Sequence, residues 1–137
     1  RGSLIEDFSF VFKDGKVVDF EAKSGKEALK LLLDMDDGAS RLGEVALVPY
    51  DSPISKLNTL FYNTLYDENA SCHFAVGSAI GFAIEGGFTM SPEQLIENDI
   101  NHSLTHVDFM VGSSKLKITG IKKDGTKVPV FVDGNWA

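Results

Sequence analysis

The stretch Phe8-Ser9-Phe10-Val11-Phe12-Lys13-Asp14-Gly15-Lys16-Val17-Val18-Asp19-Phe20 decides the fold class. Phe8, Phe10 and Phe12 alternate with small or charged residues, and apolar residues resume at Val17 after Asp14-Gly15. Asp-Gly between two such runs predicts a β-hairpin, because a two-residue turn needs positive φ at its centre. Upstream, Ile5-Glu6-Asp7 already reads as strand. The chain starts at Arg1 without Met, so the sequence reads as a piece cut from something longer. Downstream, Ser24-Gly25-Lys26-Glu27 matches the S-x-x-E capping box. Ala28, Leu29, Leu31, Leu32, Leu33 and Met35 then predict a helix ending near Asp37-Gly38.

Further along, Glu44-Val45-Ala46-Leu47-Val48 reads as a short apolar strand closed by Pro49. Leu57 to Tyr66 fits helical or mixed spacing and has no assigned state. Cys72 to Val76 predicts a buried strand. The four glycines between Gly77 and Gly87 predict a loop or an irregular strand pair. Ser91-Pro92-Glu93-Gln94 is a second helix start, with Ser as cap and Pro in the first turn, running to about Asn98. Leu104 to Gly112 and Lys115 to Ile121 read as strands, and Asp124-Gly125 turns into a strand over Val128 to Val132. The expected architecture is α+β: one strand-rich domain over residues 1–137 with two or three helices.

Composition narrows the function. Apolar residues make up 43% and charged residues 24% of 137 residues, which suits a globular domain. With 13 Lys and Arg against 20 Asp and Glu, the net charge is −7. That balance argues against nucleic acid and against an anionic membrane face, since both are bound through clustered basic residues. No apolar run approaches the length needed to span a bilayer. Cys72 is the single cysteine and cannot form an internal disulfide, which fits a reducing, cytoplasmic setting.

The candidate chemistry lies in four places. In Thr105-His106-Val107-Asp108-Phe109-Met110, strand alternation puts His106 and Asp108 on one face and Val107 and Phe109 on the other. An imidazole beside a carboxylate can share a cation or act as an acid/base pair. The plainer reading is a surface strand with two polar residues. His73 follows Cys72, and neighbours on a strand face opposite sides, so the two cannot readily chelate one ion together. Glu44 opens an apolar strand, and Glu85 sits between Ile84 and Gly86-Gly87 as a candidate catalytic carboxylate. His102 lies four residues before His106, a metal spacing on a helix, but the segment reads as loop into strand. A phosphate-binding loop and a G-x-S-x-G nucleophile elbow are both missing from the sequence.

Three longer blocks carry a resemblance. Arg41-Leu42-Gly43-Glu44-Val45-Ala46-Leu47-Val48-Pro49, the run from Leu60 to His73, and Thr105-His106-Val107-Asp108-Phe109-Met110 closely resemble the aminopeptidase T/aminopeptidase S family, as does the ending Asp133-Gly134-Asn135-Trp136-Ala137. These are cytoplasmic two-metal metallopeptidases that remove N-terminal residues from peptides. The resemblance implies that residues 1–137 are the C-terminal, metal-ligand-bearing third of such an aminopeptidase. Position by position, it implies metal ligands at Glu44, His73, His106 and Asp108. Two carboxylates and two imidazoles suit Zn²⁺ or Co²⁺, with Mn²⁺ or Mg²⁺ as alternatives. The implied reaction is metal-assisted hydrolysis of peptide substrates, and the complete protein is expected to be a homodimer.

The chain departs from the family in two respects. A further glutamate ligand belongs upstream of Arg1, and the tyrosine usually found seven residues after the ligand histidine is Ile80 here. Both imply that the isolated chain is not a competent aminopeptidase, holding one ion weakly or none. The alternative is a non-catalytic fragment or diverged homologue serving dimerisation or peptide binding.

Overall fold

The structure, a computed structural model, describes residues 4–137. It opens with the expected hairpin, β1 (Glu6–Lys13) and β2 (Lys16–Ser24), paired antiparallel from Glu6↔Ser24 to Lys13↔Lys16. The turn residues Asp14 and Gly15 have φ of 50° and 74°, the left-handed pair that a two-residue hairpin turn requires. Phe8, Phe10 and Phe12 stand on one face, with ring centroids 5.3 Å and 5.8 Å apart between successive pairs.

Helix α1 (Lys26–Leu33) follows, but the expected cap at Ser24 does not form. Ser24 is held in the hairpin ladder opposite Glu6, and its hydroxyl donates to the Glu6 carboxylate. The cap position falls instead on Gly25, in the left-handed conformation (φ 73°). Ser24 lies two residues before the first helical residue, Lys26, one place too early to cap it, and its hydroxyl is already engaged by Glu6. The regular helix also stops before the expected Asp37-Gly38, at Leu33. From there Asp36 organises a tight turn, accepting hydrogen bonds from the Gly38 and Ala39 amides at 2.9 Å and 2.8 Å.

Three strands form a second sheet in the order β3-β4-β5: β3 (Leu42–Ala46), β4 (His73–Gly77) and β5 (His106–Met110). The β3 strand ends two residues short of Val48, whose amide and carbonyl are taken by the Cys72 thiol. The undecided Leu57–Tyr66 region holds the end of α2 (Pro53–Leu57) and the start of α3 (Thr64–Asp67), both short and side-chain capped. The loop expected between Gly77 and Gly87 carries 3₁₀ turns. Helix α4 (Pro92–Glu97) starts with the predicted capping box, Ser91 and Gln94 bonding reciprocally. The third sheet has the order β6-β7-β8, with β6 (Ile118–Ile121), β7 (Lys127–Val132) and a short β8 (Asn135–Trp136). The protein is therefore α+β and strand-rich, as expected.

By compactness the chain divides into two units. One, Arg1–Glu44 with Ala75–Val107, buries Val17, Leu29, Leu33, Ala39, Ala75 and Val76. The other, Val45–Phe74 with Asp108–Ala137, is centred on Phe131, whose ring meets Trp136 edge-on at 4.5 Å. Among the described residues, no helix is long and apolar enough to cross a membrane.

Candidate metal centre

Glu44 is the third residue of β3, and His106 and Asp108 are the first and third residues of β5. Each offers a ligand atom, and these atoms all lie within 4.8 Å of one another. His106 and Asp108 share a face by the two-residue period of a strand. On the opposite face Phe109 packs edge-on against Phe74, ring centroids 5.9 Å apart, so the alternation read from sequence holds.

His106 Nε2 stands 3.4 Å from Glu44 Oε2, with 33% and 21% of the two side chains accessible. The other ring nitrogen, Nδ1, is 2.6 Å from the Ser78 carbonyl oxygen. A carbonyl only accepts, so Nδ1 carries the hydrogen and donates. In the neutral ring, Nε2 then directs its lone pair toward a carboxylate oxygen. Two acceptors facing each other are reconciled by a cation between them, either a proton or a metal ion. Two donor atoms bound to one ion at about 2.0–2.1 Å with tetrahedral angles are about 3.3–3.4 Å apart. The Glu44–His106 spacing fits that geometry, and so does the donor set of imidazole and carboxylate. Donation from Nδ1–H to a backbone carbonyl is the usual outer-shell support of a metal-binding histidine.

His73 opens β4, is only 3% exposed, and its Nδ1 lies 2.9 Å from the Ser71 carbonyl. By the same reasoning Nδ1 donates, which in a neutral ring makes Nε2 the acceptor nitrogen. His73 is not a member of the mutually close group of Glu44, His106 and Asp108. Glu85 is exposed in the turn region between the two 3₁₀ segments, His102 is exposed, and neither belongs to that group. Cys72 is buried at 2% exposure with its thiol on the Val48 backbone, and it too is outside the group. Ile80 is 37% exposed.

The supporting residues were not legible in the sequence. Asp36 accepts from the Leu104 amide at 2.8 Å and the Ser103 hydroxyl at 3.1 Å, besides Gly38 and Ala39. The Leu104 amide foremost holds its carboxyl below the ordinary aspartate range; burial opposes it, and the Ser103 hydroxyl and the Ala39 and Gly38 amides add to the lowering. The Ser71 and Ser78 carbonyls that orient the two histidines carry no side-chain signature, and loop spacing gives no clue to them.

Residues 1–136 match the family profile of the thermophilic metalloproteases (M29). The chain is 56% identical over 136 residues to aminopeptidase AmpS of Bacillus subtilis, covering 99% of this chain and 33% of that protein. It is 57% identical over 137 residues to aminopeptidase 2 of Geobacillus stearothermophilus, covering 100% and 33%. The solved structure of wild-type AmpT from Thermus thermophilus superposes with a TM-score of 0.86 at 44% identity, over 98% of this chain and 33% of that one. The chain thus spans about a third of the length of these relatives.

Proposed function

The chain belongs to the thermophilic metalloprotease (M29) family, and from that premise we propose that it supplies the metal-ligand portion of an aminopeptidase. Glu44, His106 and Asp108 are the ligands whose atoms already converge, and His73 is the fourth. The single observation that carries this reading is the 3.4 Å approach of His106 Nε2 to Glu44 Oε2, with Nδ1 held by a carbonyl. Zn²⁺ or Co²⁺ suits the donors best, with Mn²⁺ or Mg²⁺ as alternatives.

When bound, such an ion supplies Lewis acidity toward a peptide carbonyl and an activated water at neutral pH. The chain's own residues have narrower tasks. Glu44 and Asp108 bring negative charge, and His106 brings a lone pair whose direction is set by the Ser78 carbonyl. The cytoplasm as location, peptide substrates and a homodimer in the complete protein belong to the same proposal. Ile80 favours a second reading, in which the domain binds ion or peptide without turnover, because an aliphatic side chain can neither donate nor accept a proton.

Titrating the 137-residue chain with Zn²⁺ by calorimetry tests the ligand assignment. One weak saturable site is expected, lost in Glu44→Ala and His106→Ala. Saturable binding that both variants leave unchanged overturns it.

A further inference from the structure

Asn101 occupies a node in the loop that leads into β5. Its Nδ2 donates to the Gly38 carbonyl at 2.9 Å and to the Gly77 carbonyl at 2.6 Å. Both partners are acceptors, so the orientation of the amide is settled and both of its hydrogens are used. The Asn101 carbonyl accepts from the Ala79 amide at 2.8 Å, and the Thr105 carbonyl accepts from the Ser78 amide at 2.7 Å. Gly77 is also held from the other side, its amide donating to Arg41. The three residues Gly77-Ser78-Ala79 are therefore pinned at every step, and between the pins the Ser78 carbonyl points at His106 Nδ1.

We propose that Asn101 is a positioning residue for His106: its carboxamide anchors the Gly77 carbonyl, one residue before Ser78, so that the Ser78 carbonyl fixes the tautomer and direction of the His106 ring. It acts through the backbone and has no role in touching an ion or a substrate. The consequence for metal affinity rests on the ligand assignment above, whereas the consequence for the ring does not. Outer-shell partners of metal ligands typically contribute about tenfold to hundredfold to affinity.

The test compares the unmutated chain with Asn101→Ala and with Asn101→Asp, which keeps the shape but loses both donors. Ring tautomers are read by long-range ¹H–¹⁵N correlation in metal-free protein, and Zn²⁺ affinity by calorimetry. In the unmutated chain His106 is expected as the Nδ1–H tautomer. In both variants it becomes a mixture of tautomers while His73, held by Ser71, is unchanged, and Zn²⁺ affinity falls about tenfold to hundredfold. An unchanged His106 tautomer in a folded variant overturns the inference. If the unmutated chain takes up no Zn²⁺, the tautomer comparison by itself still decides the role of Asn101. Should neither variant fold, the through-hydrogen-bond coupling from Asn101 Nδ2 to the Gly77 carbonyl carbon is measured in the unmutated chain. Its presence supports the lock and its absence overturns it.

Discussion

His106 faces Glu44 across 3.4 Å with its Nε2, while its Nδ1 is committed to the Ser78 carbonyl. The ring can thus present only one nitrogen to a shared cation. Asp108, two residues further along β5, adds a carboxylate on the same face. Residues proposed to hold an ion and residues that hold those side chains in place should respond differently to substitution.

Asp108→Asn keeps the shape and removes the charge. The Zn²⁺ affinity of the chain should fall by on the order of a hundredfold or more, beyond the usual effect of an outer-shell change. Calorimetry at fixed pH measures it, with unfolding in urea as the control for an intact fold.

Cys72→Ala should leave Zn²⁺ affinity unchanged, because the thiol is engaged with the Val48 backbone and lies outside the ligand group. Stability should drop by about 1–2 kcal/mol, from one lost hydrogen-bonding group and a small void. Chemical denaturation gives the stability and calorimetry the affinity. A loss of affinity greater than threefold to fivefold (on the order of 1 kcal/mol) would contradict the assignment.

Asp36 makes stability sensitive to acid. Its carboxyl titrates below the ordinary aspartate range in the folded chain because four donors favour the charged form. The stabilisation is full above the unfolded value near pH ~3.9 and is lost as pH falls through the lower folded value. Urea unfolding across that acid range should show a shallower pH dependence in Asp36→Asn than in the unmutated chain.

Two glycines should separate cleanly. Gly15 has φ 74° in the hairpin turn, and a Cβ there meets nothing within 4 Å, so Gly15→Ala should cost about 1 kcal/mol of conformational strain. Gly77 has φ 102°, and a Cβ there would run into the Thr105 carbonyl. Gly77→Ala should cost more than 2 kcal/mol, roughly, and also weaken Zn²⁺ binding through the displaced Ser78 carbonyl. Thermal and urea denaturation rank the two.

The 137-residue chain with excess Zn²⁺ or Co²⁺ should release no N-terminal residues from short peptides at a rate above the metal alone. The four proposed ligands fall short of the roughly three per ion that a paired catalytic site uses, and Ile80 offers no proton donor. Turnover by the isolated chain, measured by amino-acid release, would show that four ligands suffice.

The sequence by itself determined the local features. Asp14-Gly15 specified a two-residue turn because few residues accept positive φ. The phenylalanine alternation specified the strand faces, Ser91-Pro92-Glu93-Gln94 a capped helix, and the period of β5 the shared face of His106 and Asp108. Only the tertiary structure decided the rest. Ser24 had the chemistry of a cap but ends the hairpin ladder opposite Glu6, and the helix begins one residue too late for it to serve as the cap. Glu44 had no local signal beyond opening an apolar run; its approach to His106 is made in a sheet where β4 lies between their two strands, a long-range arrangement that spacing does not encode. Asn101, Asp36 and the two serine carbonyls were silent for the same reason. Their roles consist of hydrogen bonds to backbone atoms remote in sequence, and a backbone carbonyl looks alike at every position until folding places it.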